Sequence, residues 1–166
     1  MRAPLPPWRV GIGFDIHALV PGRPCRIGGV TIPFDRGLLA HSDGDVLAHA
    51  VTDAILGAAA MGDIGALFPD HDPRWRNADS LELLACVWQQ VAAAGWQLAN
   101  LDAVIICEAP KILPYAAEMR ANLAAVLQAT PEQVQVKGKR AEKLGALGRA
   151  EGIAVQAVVL LWRPTG

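Results

Sequence analysis

Apolar and polar positions alternate along "WRVGIGFDIHAL", residues 8–19, and again along "CRIGGVTIP", residues 25–33. Alternation of this kind predicts extended segments, and the Gly28-Gly29 break in the second predicts a hairpin or a bulge. The period then lengthens. From Asp43 to Met61, "DGDVLAHAVTDAILGAAAM" places Val46, Ala50, Ile55 and Ala58 at helical spacing, with high alanine and leucine propensity and capping side chains in the preceding "HSDGD". Gly, Pro and Asp dominate residues 62–80, which predicts a loop. Asp79 or Ser80 caps a second helix that runs to about Ala94 and stops at Gly95. "LDAVIIC" (101–107) is a buried strand, Pro114 opens a third helix to about Gln128, and "QVQVKG" (133–138) alternates as a strand. "EKLGALGRAEG" (142–152) is a glycine-interrupted turn region, and "IAVQAVVLLW" (153–162) is a final strand. Strands interspersed with three helices predict an α/β (α+β) fold, a small mixed sheet with helices packed on one side.

The 166-residue length fits one domain spanning the chain, with residues 1–8 ("MRAPLPPW") as a proline-rich lead-in. Composition adds one thing. Hydrophobic residues make up 52% and 16 glycines stand beside them, against about 45–50% for both together in an ordinary domain. A small chain this apolar points to surface hidden in an oligomer. The net charge of −1 gives no electrostatic case for a nucleic-acid or membrane partner. Cys25, Cys86 and Cys107 are odd in number and form no C-x-x-C, as expected of reduced thiols in a cytoplasmic protein.

The polar residues that interrupt these segments carry the chemistry. Asp15 and His17 lie on one face of an extended segment, roughly 6.6 Å apart along it. Asp45, His49 and Asp53 follow i, i+4, i+8 spacing and share a helix face. Asp15, His17 and His49 together supply three ligands with a fourth position open, as at a catalytic Zn²⁺, and Asp45 or Asp53 would then steady an imidazole from behind. The plain alternative is a turn-capping Asp15, a hydrogen-bonded core histidine at 49 and two solvated helix carboxylates. His41 and Ser42 precede the helix, where they serve either as N-terminal caps or as phosphate contacts.

"GFDIHAL", "HSDGDVLAH", "GDIGALFPDHDP", "ADSLELL", "EAPKILPY" and "EKLGALGRAEGIAVQAVVLL" together resemble the 2-C-methyl-D-erythritol 2,4-cyclodiphosphate synthase family, from about Arg9 to Leu161. The resemblance implies a homotrimer with active sites between subunits. It also implies cyclisation of 4-diphosphocytidyl-2-C-methyl-D-erythritol 2-phosphate with release of CMP, a step of the non-mevalonate isoprenoid route. By the same resemblance Asp15, His17 and His49 hold one Zn²⁺ per subunit, and Glu142 stands beside a second cation, Mg²⁺ or Mn²⁺. His41, a catalytic position, and Ser42 grip phosphate oxygens, with Ile16 between the first two zinc ligands. Asp63, with Ile64 and Gly65, binds the methylerythritol hydroxyls. Phe68, Pro69, Asp70, His71 and Asp72 form a loop that closes over that end. The segment Cys107, Glu108, Ala109, Pro110, Lys111, Ile112 and Leu113 reads the cytosine edge through its backbone, a role compatible with a simple strand-to-helix turn. Arg149 and Glu151 face the trimer axis, where some members accept isoprenoid diphosphates.

The chain departs from the pattern before Glu142. Lys139, Arg140 and Ala141 replace a hydroxyl-rich segment, with Arg140 at the usual catalytic threonine position, while Ala146 stands for an aromatic residue and Ala150 for a glycine. The expectation is an active enzyme slowed at its nucleotide end, in which Arg140→Thr raises turnover. Two other readings stand beside it: a trimeric diphosphate-binding protein without turnover, and a zinc-dependent phosphohydrolase.

Overall fold

The computed structural model describes residues 6–164, so positions 1–5 of the expected lead-in lie outside the described residues. The first alternating stretch becomes a long strand, β1, Trp8–Pro21. β2, Cys25–Ile27, and β3, Val30–Ile32, form the hairpin expected around Gly28-Gly29. A three-residue strand, β4, Arg36–Leu38, follows; it is too short to show a period and exists because it pairs with the end of β1. α1 spans Val46–Ala59, α2 Ile64–Leu67 and α3 Ser80–Ala93. Then come β5, Gln97–Ile106, α4, Ala116–Val126, β6, Val134–Lys139, α5, Gly145–Gly148, and β7, Gly152–Trp162.

Four expectations need correction. α1 starts at Val46 and not at Asp43, because the Asp45 carboxylate accepts the Ala48 N–H and so closes the helix there. The stretch read as loop, residues 62–80, contains α2 and a 3₁₀ turn, Pro73–Trp75, capped by Asp63 and Asp72 respectively. The third helix opens as a 3₁₀ turn at Leu113–Tyr115 and becomes α-helical only at Ala116. The region 142–152 holds the short helix α5.

The main sheet runs in the order β4-β1-β7-β5-β6 and is mixed: β5 and β6 are parallel and every other pair is antiparallel. β7 sits at its centre, with Ile153, Val155, Ala157, Val159 and Leu161 fully buried. α1 lies across β1 and β7 and is itself almost wholly buried. This close crossing depends on two residues without side chains. A Cβ at Gly11 would stand 1.9 Å from the Ala54 carbonyl oxygen, and one at Gly13 would stand 1.8 Å from that of Ala50.

Because side chains alternate along a strand, the odd positions of β1 turn toward α1 and the even positions turn away. The even positions include Val10, Ile12, Phe14 and Ile16, each at least half exposed. One face of the strand therefore packs the core and the other offers bare apolar side chains. Among the described residues no helix is long and apolar enough to cross a membrane.

Candidate functional site

Continuing along the inward face of β1 past Gly11 and Gly13, the next two side chains are Asp15 and His17. The first turn of α1 lies over them and brings in His49. The start of that helix is firmly anchored: the fully buried Asp45 accepts N–H bonds from Gly28 (2.8 Å), Gly29 (2.7 Å) and Ala48 (3.0 Å), which tie α1 to the β2–β3 turn. Three ligand atoms then converge. Asp15 Oδ2 is 3.1 Å from His49 Nδ1 and 3.3 Å from His17 Nε2, and the two imidazole nitrogens are 3.1 Å apart.

The far side of each ring decides which nitrogen is bare. The His17 Nδ1–H donates to the Ile16 carbonyl (2.8 Å), which can only accept, so Nε2 turns a lone pair to the centre. Ser80 donates its single hydroxyl proton to Asp43. Its oxygen is therefore free to accept from His49 Nε2–H at 2.8 Å, and His49 Nδ1 is left bare. Ser42 Oγ lies 3.1 Å from the same nitrogen. Two lone pairs and a carboxylate thus face one point, an arrangement that repels itself until a cation fills it. A tetrahedral zinc with ligands at about 2.0–2.1 Å needs ligand atoms roughly 3.3–3.4 Å apart, close to the separations found. The residues fit the metal.

Protons compete for the same place. Burial pushes His49 toward its neutral form, but the Asp15 hydrogen bond and the charges of Asp15, Asp45 and Asp43 outweigh it and hold the imidazole above its ordinary range. His17 moves the other way, lowered chiefly by burial against the pull of Asp15. The expectation that Asp45 or Asp53 backs an imidazole does not hold. Asp45 is the helix anchor, and Asp53 accepts the Ile64 N–H at 2.8 Å, joining α1 to α2. Asp43, Ser80 and Ser42 orient His49 instead.

A cavity of about 630 Å³ opens from the three ligands. Its wall gathers His41, Ser42, Ile64, Gly65, Phe68, Pro69, Asp70 and His71 from the expected residues, and adds Ala40, Asp53, Trp75 and Leu83. His41 Nε2–H donates to the Asp72 carbonyl at 3.2 Å, which ties it to the segment that carries Asp70 and His71. Phe68 and Trp75 meet edge to face, with ring centres 5.0 Å apart. Asp63 and Asp72 stand outside this wall. Asp63 accepts the Ala66 N–H as the cap of α2, and Asp72 is paired with Arg74. Ile16 points to the opposite face of β1.

A second cavity, about 370 Å³, lies at the C-terminal ends of the parallel pair β5–β6. It is lined by Cys107, Glu108, Pro110, Lys111, Ile112, Leu113, Gly138, Lys139 and Arg140. Ala109 is joined to Pro110 through a cis peptide in the same loop. Ala141, Glu142, Ala146 and Arg149 line neither of these cavities; Arg149 pairs with Glu151 at 2.6 Å. Within one chain the expected residues that line a cavity therefore fall into two groups, one beside Asp15, His17 and His49 and one at the ends of β5 and β6.

The YgbB family model matches residues 8–162. A relative from Azoarcus sp. (strain BH72), named 2-C-methyl-D-erythritol 2,4-cyclodiphosphate synthase, is 59% identical over 95% of this chain and 97% of its own length. The bifunctional IspDF of Campylobacter jejuni superposes with a TM-score of 0.91 at 44% identity, covering 95% of this chain, which spans only 42% of that larger one. The IspF of Plasmodium falciparum, solved as a CDP complex, superposes with a TM-score of 0.86 at 32% identity, covering 98% of this chain and all of the other.

Proposed function

Since the chain belongs to the YgbB family, we infer that it carries out the cyclisation for which its relatives are named, releasing CMP as it closes 2-C-methyl-D-erythritol 2,4-cyclodiphosphate. It is a lyase of isoprenoid biosynthesis. The observation that carries the reading is the convergence of Asp15, His17 and His49 at the mouth of a cavity walled by "GDIG" and "FPDHD" residues.

The reaction joins an oxygen of the substrate's 2-phosphate to the β-phosphorus and breaks the bond from that phosphorus to the oxygen retained by CMP. Two anions must approach each other, so charge neutralisation and positioning dominate and no protein nucleophile is needed. Asp15, His17 and His49 would hold a zinc ion, which when bound would supply Lewis-acid polarisation of a phosphoryl oxygen. His41 and Ser42 stand on the same wall and orient phosphate oxygens. Phe68, Pro69 and Trp75 shield that end from water. By the family resemblance Glu142 would stand beside a second cation, Mg²⁺ or Mn²⁺, and Asp63, Ile64 and Gly65 would receive the hydroxyl-bearing end of the substrate.

The active unit in this reading is a homotrimer of single-domain subunits working in the cytoplasm. Support comes from the bare apolar face of β1 and from the separation of the two cavities within one chain. A neighbouring subunit would bring a nucleotide loop to each metal site. Phosphorus NMR on protein incubated with substrate, Zn²⁺ and Mg²⁺ tests the function. The cyclic diphosphate and CMP should appear together; unchanged substrate would mark a binding protein, and free phosphate a hydrolase.

A further inference from the structure

Arg140, the main departure from the family pattern, has a partner in the same chain. Cys107 N–H donates to the Lys139 carbonyl at 3.0 Å, the last rung of the β5–β6 ladder, so residues 108 and 140 leave the sheet side by side. The guanidinium then meets Glu108 through two donors, Nη2 at 2.6 Å and Nε at 3.2 Å from the same oxygen. The other Glu108 oxygen accepts the Lys143 N–H at 3.3 Å. That N–H belongs to a turn in which Glu142 and Lys143 are both left-handed, at φ 53° and 61°. One carboxylate thus fixes both the arginine and the turn behind it.

An arginine offers five N–H donors in a planar fork. Glu108 engages one edge and leaves the Nη1 edge unspent on a side chain that is 61% exposed. Lys111 and Lys139 line the same cavity, so its wall carries three cationic residues and one carboxylate that is already paired. Such a cavity favours an anion, and a fork held at one edge presents the other in a fixed direction.

We propose that Glu108 is a positioning residue that aims Arg140 at the diphosphate of a cytidine nucleotide bound between the ends of β5 and β6. The proposal rests on the synthase reading of this loop and gives Arg140 a binding role where the departure from the family pattern predicts a slowed nucleotide end. The Arg140 guanidinium, with the Lys143 N–H, in turn holds the Glu108 carboxyl below the usual carboxylate range.

Calorimetric titration of the zinc-loaded protein in Mg²⁺ with CDP and with cytidine tests this. Arg140→Thr should weaken CDP binding tenfold or more and change cytidine binding less than twofold. Glu108→Gln, nearly the same size, should weaken CDP at least threefold and again leave cytidine unchanged. The double variant should be no weaker than Arg140→Thr alone, because Glu108 acts through the arginine. Arg140→Lys, which keeps the charge and loses the fork, should recover only part of the affinity. A wild type that binds CDP while both single variants keep its CDP-to-cytidine ratio would overturn the proposal alone. Equal losses for both ligands in Glu108→Gln would reduce Glu108 to a loop-shaping residue and overturn it too. A wild type that binds no CDP would remove the synthase reading of the loop along with the proposal.

Discussion

His49 owes its role to the atoms behind it. Ser80 hands its proton to Asp43, accepts from His49 Nε2–H, and thereby leaves Nδ1 bare toward Asp15 and His17. Ser80→Ala removes that acceptor while Asp79 still caps α3. Groups that orient a metal ligand in this way are each worth about 10–100-fold in metal affinity, so zinc affinity, read by competition with a chelator, should fall by that factor with circular dichroism unchanged. Undiminished affinity would assign the role to Ser42, the other hydroxyl near that nitrogen. Spacing placed Asp15 and His17 on one strand face and His49 on a helix face, but it left a capping aspartate and a core histidine equally open, and only the family resemblance joined the three as ligands. Asp43 and Ser80 were not legible, because both read equally well as helix caps. Asp45 was legible as a cap within "HSDGD" or as a partner for an imidazole; that it bonds Gly28 and Gly29 depends on where a distant turn arrives.

The packing of α1 on β1 sets where these residues meet. The crossing tolerates no Cβ at Gly13, where the Ala50 carbonyl oxygen would be 1.8 Å away. Gly13→Ala must push the helix outward, and overpacking in a buried contact costs about 1–3 kcal/mol or more. Urea unfolding should show a loss of at least this size, accompanied by weaker zinc binding, since His49 rides on the displaced helix. Unchanged stability would mean that α1 can shift freely, and the close crossing would then not position the site. At this scale the long elements could be read from period and caps. The short ones could not: three residues of β4 and four of α2 carry no periodicity, and they form only because β1 and the Asp53 carboxylate give their backbones partners.

For the whole molecule, the apolar excess in the composition has a location: Val10, Ile12, Phe14 and Ile16 on the outward face of β1, with Val158 on the neighbouring strand. In the proposed trimer this face is covered. Ile12→Glu should yield a monomer at micromolar concentration by light scattering, with the fold retained, because Ile12 makes no part of the inward core. A trimer of undiminished mass would place the interface elsewhere. The mixed sheet with helices on one side followed from the order of segments, but the curved face left open on the other side did not. Alternating glycines at 11 and 13 gave no sign in the sequence of which face was the buried one.

In the proposed trimer strand β1 serves two masters on alternate residues, the candidate metal ligands on one side and the neighbouring subunit on the other. Phe14 and Ile16 flank Asp15 and are flanked by Gly13 and His17, so the backbone torsions that aim one set also aim the other. Two equilibria that draw on one set of torsions are reciprocally linked: whatever factor assembly adds to metal affinity, metal must add to assembly. Protein concentration then becomes a determinant of metal occupancy, and the zinc retained by Ile12→Glu at a fixed free-zinc level measures that coupling directly.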